Sequence, residues 1–173
     1  WSSDVCSSDL ANKSGTFGTG NVLVEYKYKR GDAANVRVKH INAITGASLA
    51  SDEVLSGTGR LGLTYTTAAK TAADLPNYEL VGGMPANATG TFVTGTQTVT
   101  YVYRRKDAGD VTVRYLDVHG NSIESDDTIS GANKLGLAYT TNEETINNYG
   151  LVAQPANKNG TFTAAAQTVR SEE

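Results

Sequence analysis

The sequence is poor in the residues from which chemical sites are usually built. Among 173 residues there is one cysteine, Cys6, and there are two histidines, His40 and His119. Proline is rare, with three residues. Hydrophobic residues make up 39%, yet no stretch approaches the ~20 consecutive apolar residues of a membrane-spanning helix. A charge excess of one sign is also missing. The net charge is −3, and the two ends account for it through Asp4, Asp9, Arg170, Glu172 and Glu173. The body, residues 11–169, is electrically balanced and has no electrostatic footprint for nucleic acid or an anionic membrane. What is present instead is glycine, with 18 residues, nine tyrosines, and much threonine and valine. Apart from glycine these are strand formers.

The ends do not match the body. Residues 1–10, Trp1 to Leu10, have neither the basic start nor the apolar stretch of a signal peptide. They resemble the translated adapter strings that contaminate assembled sequencing reads, and Arg170 to Glu173 resembles the start of another. The alternative is a natural disordered tail. On the first reading 1–10 and 170–173 are non-native tails and Cys6 is foreign. The body then has no cysteine for disulfide or thiol chemistry.

The body repeats itself. Pro85-Ala86-Asn87-Ala88-Thr89-Gly90-Thr91-Phe92 returns as Pro155-Ala156-Asn157-Lys158-Asn159-Gly160-Thr161-Phe162. A partial earlier copy is Ala11-Asn12-Lys13-Ser14-Gly15-Thr16-Phe17. Leu61-Gly62-Leu63-Thr64-Tyr65-Thr66-Thr67 matches Leu135-Gly136-Leu137-Ala138-Tyr139-Thr140-Thr141, and Asn77-Tyr78-Glu79-Leu80-Val81 matches Asn148-Tyr149-Gly150-Leu151-Val152. Matches at a fixed spacing and in a fixed order mark a repeat architecture. Residues 11–31 read as the C-terminal fragment of an upstream repeat and 32–106 as a complete repeat. Residues 107–169 read as a second repeat lacking its last strand.

Each unit opens with a period-two pattern, Val36, Val38 and His40 in one copy and Val111, Val113 and Tyr115 in the other, as expected for a strand with one buried face. Gly46 and Gly120 suit the tight turn that follows. A second strand is expected from Leu49 or Ile123 to near Gly57 or Gly131. Ala68–Ala73 is a candidate for one or two helical turns before Pro76. Tyr78–Val81 and Thr98–Tyr103 read as strands. The unit is mostly β with at most one short helix. A chain of this size buries only ~60% of its unfolded surface and is marginal alone.

These ordered motifs resemble the mucin-binding-protein (MucBP) repeat of Gram-positive cell-surface proteins. The resemblance covers residues 11–169 and implies small ubiquitin-like β-grasp units in tandem. It also implies an extracellular place on the bacterial surface, cell-wall attachment through other parts of the parent chain, and mucin glycoproteins or other host glycans as partners beside neighbouring repeats. Two departures are His40 in place of an aromatic ring and a longer Ala68–Pro76 segment.

Catalysis is not expected, and neither is a cofactor. His40 aligns with Tyr115, so it reads as a packing position, and His119 falls in a turn. No nucleophile, base and orienting group recur together. Asp126-Asp127 and Glu143-Glu144 lack the ligand spacing of a calcium loop and read as solvated carboxylates. Asn87-Ala88-Thr89 fits a glycosylation sequon but belongs to a repeat motif. Tyr26, Tyr28, Tyr101 and Tyr103 alternate on copies of the last strand. Such rings suit a glycan platform, but alternation favours packing against a sheet. The same weighing applies to Tyr78 and Tyr149, so no binding residue is assigned. Two functions remain, a multivalent adhesive module and a spacer that carries another domain away from the cell wall. Finally, Val22–Tyr28 is a spare copy of the strand the second repeat lacks. It is expected to pair with that repeat's open edge, within one chain or between two.

Overall fold

Val36, Val38 and His40 are buried while Arg37 between them is exposed, the alternation read from the sequence. They lie on β1 (Val36–Asn42). The structure, a computed structural model, describes residues 14–16, 18–21 and 23–170. The readings of residues 1–10 with Cys6, of 11–13, Phe17 and Val22, and of 171–173 lie outside the described residues.

In the first repeat β1 pairs antiparallel with β2 (Glu53–Leu55) and parallel with β6 (Gln97–Arg105). The strand β4 (Tyr78–Leu80) adds antiparallel to the far side of β6, giving the order β2-β1-β6-β4. A separate ribbon joins β3 (Thr64–Thr66) to β5 (Thr89–Thr91). One face of the sheet supplies Val36, Val38, Val99, Tyr101 and Tyr103 to the core, and the ribbon adds Tyr65 and Phe92. Each such side chain contributes on the order of 1.5–3 kcal/mol when fully buried. The long parallel pair β1–β6 is the backbone of this repeat, because it carries the buried residues of both strands.

The second repeat follows the same plan with shorter elements. β7 (Val111–Val113) lies between β8 (Asp127–Ile129) and β11 (Gln167–Val169), and β9 (Ala138–Thr140) pairs with β10 (Asn159–Thr161). β7 has three residues where β1 has seven. The cause is its parallel partner: β6 continues as Thr100-Tyr101-Val102-Tyr103, whereas β11 runs into Arg170. The core shrinks accordingly to Val111, Tyr139, Phe162 and Val169. Tyr149–Val152, the copy of β4, forms no strand and is exposed.

Three expectations change. Among the described residues there is no helix. Ala68–Ala73 makes a single turn further on, in which Leu75 N–H reaches Thr71 O at 2.9 Å. The Asp74 carboxylate accepts from both the N–H and the hydroxyl of Thr71. Helix nucleation is costly and the segment ends at Pro76; the Lys70 N–H is held by the Tyr103 hydroxyl at 2.7 Å. The second strand is also shorter than expected: Leu49 and Ile123 lie outside β2 and β8, beside isolated bridges at Ser48 and Ser122. Thirdly, Leu23–Tyr28 form no strand, and Tyr26 and Tyr28 are exposed rather than packed on a sheet.

Candidate functional site

Polar chemistry in the first repeat converges beneath β1 and β6. His40 is fully buried. Its Nδ1 lies 3.0 Å from the Tyr103 hydroxyl, and its ring stacks on Tyr101. The Tyr101 hydroxyl in turn lies 2.8 Å from Thr67 Oγ1, which donates to Ala88 O. His40 Nε2 faces Glu53 Oε1 at 3.7 Å, and Glu53 is held by the Lys70 ammonium. Burial pushes the His40 imidazole below its ordinary range, against the pull of Glu53. His40 thus occupies a buried packing position on β1.

The second repeat places Tyr115 where the first has His40, and its hydroxyl donates to Asp127 at 2.9 Å. Burial, reinforced by this bond, pushes the phenol up to about 12. Glu53 and Asp127 hold matching register positions opposite Val38 and Val113. Both repeats therefore set a polar ring against a carboxylate at one place in the sheet.

The shared motifs turn out to be scaffold. Tyr65 meets Phe92 edge to face, with centroids 5.4 Å apart, and Tyr139 meets Phe162 at 5.5 Å. Arg60 and Lys134 cap the two Phe rings. The Asn87 side chain donates to Thr98 O at 2.9 Å, and Asn157 donates to Thr168 O at 2.8 Å. Each ties its loop to the last strand, a role that spacing alone did not reveal. The repetition of Asn in both copies was the available signal.

Other candidates disperse. Tyr101 and Tyr103 are core. Tyr78 is half-buried, with Arg105 4.6 Å above its ring. Tyr149 is exposed. His119 lies in an exposed turn, where its N–H reaches Asp117 Oδ1. Asp126 pairs with Arg114 at 3.3 Å, and Glu143 accepts from Gln154. No group of three or more metal-ligating side chains forms among the described residues. No helix among them is long and apolar enough to cross a membrane. A cleft of about 890 Å³ in the second repeat is lined by Tyr115, His119, Ile123, Tyr149, Leu151 and Lys158 among others. Val113, Val169 and Arg170 also line it, so it opens at the end of the β7–β11 pair.

Comparison with known proteins fits this repeated architecture. The model of the MucBP domain matches residues 35–104 and 110–170. Internalin J of Listeria monocytogenes serovar 1/2a is 35% identical over 165 residues, covering 94% of this chain and 19% of its own length. Internalin J of serotype 4b is 40% identical over 162 residues, covering 91% and 17%. The chain thus spans about a fifth of the length of these relatives. Among solved structures, domains 3-4 of the Streptococcal High Identity Repeats in Tandem are 12% identical, with a TM-score of 0.37 and coverage of 79% of this chain and 94% of that one. The type 2 repeat of the mucus binding protein MUB from Lactobacillus reuteri is 18% identical, with a TM-score of 0.29 and coverage of 79% and 97%.

Proposed function

This chain belongs to the MucBP domain family, and we propose that its tandem repeats serve a bacterial cell-surface adhesin by contacting mucin glycoproteins weakly and multivalently. The observation that carries this reading is the double family match. Two like units in one chain raise a weak contact to useful avidity through effective concentration. The parent protein is extracellular and attached to the cell wall through other parts of its chain. Residues 11–31 are the C-terminal fragment of an upstream repeat, 32–106 a complete repeat, and 107–169 a second repeat that lacks its last strand, with 1–10 and 170–173 as non-native tails. Each unit is read as a β-grasp variant; the parallel pairing of its first and last strands supports that, flanked on both sides by antiparallel neighbours in the first repeat. No residue is assigned to the glycan: of the tyrosine pairs shared by both repeats, Tyr65 and Tyr139 are committed to the core, and Tyr78 is half-buried under Arg105 while its counterpart Tyr149 is exposed.

The test is binding of residues 32–106, singly and as a tandem dimer, to immobilised mucin before and after deglycosylation. Binding that requires the glycans and strengthens in the dimer supports the adhesive reading. Absence of binding by folded protein favours the second reading, a spacer that presents another domain. That reading draws support from hydrogen bonds that cross the repeat boundary at Arg105 and Lys106.

A further inference from the structure

The boundary between repeats is built twice, in the same way. At the first boundary Arg30, which follows the upstream copy of the last strand, donates through Nη1 to Leu61 O at 2.9 Å. Leu61 N–H returns a bond to Gly31 O at 3.1 Å. Gly59 N–H reaches the Asp32 carboxylate at 2.6 Å, and Ala33 N–H reaches Gly57 O at 2.9 Å. One repeat further on, Arg105 at the end of β6 donates through Nη1 to Leu135 O at 2.8 Å. Leu135 N–H returns a bond to Lys106 O at 3.1 Å. Asn133 N–H reaches the Asp107 carboxylate at 2.8 Å, and Ala108 N–H reaches Gly131 O at 2.9 Å.

All four contacts recur at matching positions; the Arg and Leu bonds cross the boundary, and the other two shape the receiving turn from within its own repeat. A flexible linker has no reason to reproduce them, because each bond must repay the conformational entropy of the residues it orders. Gly59 and Asn133 share a positive φ of 66° and 56°, and Gly62 and Gly136 share one of 80° and 78°. The receiving turn thus has one backbone shape in both places. At the second boundary the preceding repeat is complete, and it adds more. Arg105 lies on the ring of Tyr78 and donates through Nη2 to the Tyr78 hydroxyl at 2.8 Å, which fixes the guanidinium before it meets Leu135. Lys106 is anchored backward to Asn77 O and Pro76 O. A Cβ on Gly136 would stand 2.4 Å from the Asn77 side-chain nitrogen, so the two repeats are in close contact here.

We propose that the Leu135-Gly136 turn of each repeat is a docking surface for the Arg-terminated last strand of the repeat before it, and that this clasp fixes the orientation of one repeat on the next. The partner is another copy of the same repeat in the same chain. Arg105 is the positioning residue. Its planar guanidinium serves two acceptors at once, the Tyr78 hydroxyl and the Leu135 carbonyl, while lying on an aromatic face, which a lysine cannot reproduce. The inference concerns how repeats join and holds whatever they bind.

The test is the distance distribution between spin labels at S51C in the first repeat and A164C in the second, in the full chain carrying C6S. Both positions are exposed. The parent chain should give one narrow distance peak. R105A should lose that peak while amide spectra show both repeats still folded, and R30A, which acts on the other boundary, should keep it. A broad distribution in the parent chain overturns the proposal whether or not R105A folds. So does an unchanged narrow peak in folded R105A.

Discussion

The imidazole of His40 lies nearly flat on the ring of Tyr101, with centroids 5.3 Å apart and planes 12° from parallel. The two residues are direct partners in the parallel pairing of β1 with β6, so the stack follows from strand register. It places a titratable ring at the centre of the first core, where an apolar or phenolic ring would carry no charge at neutral pH.

That placement makes the first repeat sensitive to acid. Burial lowers the His40 pKa from 6.5; Glu53, Asp52 and Asp74 pull the other way, and Lys70 lowers it further. Below 6.5 the unfolded chain therefore binds more protons than the folded one. The stabilisation is complete above pH 6.5 and is lost as pH falls from there through the lower folded value. The protection factor of the Val38 amide, its exchange rate corrected for the intrinsic pH dependence, should fall on acidification over that window. H40Y, which imports the ring found at Tyr115, should flatten the response. An equal pH slope in parent and variant would refute it.

Gly90 and Gly160 are required by the aromatic rings beside them rather than by backbone angle. A Cβ at position 90 would stand 2.7 Å from the Tyr65 hydroxyl oxygen, and one at position 160 would stand 2.6 Å from that of Tyr139. G90A and G160A should each destabilise their own repeat by roughly 1–3 kcal/mol, the usual cost of overpacking. Urea titration followed by amide signals of each repeat checks this, with the other repeat as internal reference.

Thr67 and Thr141 occupy matching positions with unequal roles. Both hydroxyls donate to a loop carbonyl, Ala88 O at 3.0 Å and Lys158 O at 3.1 Å. Only Thr67 also partners a buried phenol, that of Tyr101. T67V leaves two buried oxygens with fewer partners and should cost about 1–3 kcal/mol, the penalty for unsatisfied buried polar groups. T141V should cost clearly less. Equal losses in the two variants, measured by the same urea titration, would contradict the assigned network.

The sheet-forming parts were legible because their signal is local. Val36, Val38 and His40 alternate in sequence, and alternation becomes a buried face wherever a strand forms. Tyr78–Leu80 was legible for a similar reason, whereas its copy at Tyr149–Leu151 was not. A strand exists only with a partner for its backbone groups, and β11 stops short of supplying one. The short helix expected before Pro76 failed because so short a segment does not repay the cost of helix nucleation. The Tyr103 hydroxyl, 33 residues away in sequence, takes the Lys70 N–H and pins the segment to β6. The roles of Asn87 and Asn157 stayed hidden because their acceptors, the carbonyls of Thr98 and Thr168, lie on another strand.

The sequence by itself determined the repeat, the β character and the family. Each rests on which residues recur in what order, and that information needs no third dimension. Only the tertiary structure decided that His40 faces Glu53, that the glycines of the Gly-Thr-Phe motif make room for Tyr65 and Tyr139, and that Arg105 reaches across to Leu135. Those relationships join residues far apart in the chain. They depend on strand register and on the carbonyl directions of a turn, quantities that exist only once the backbone has closed on itself.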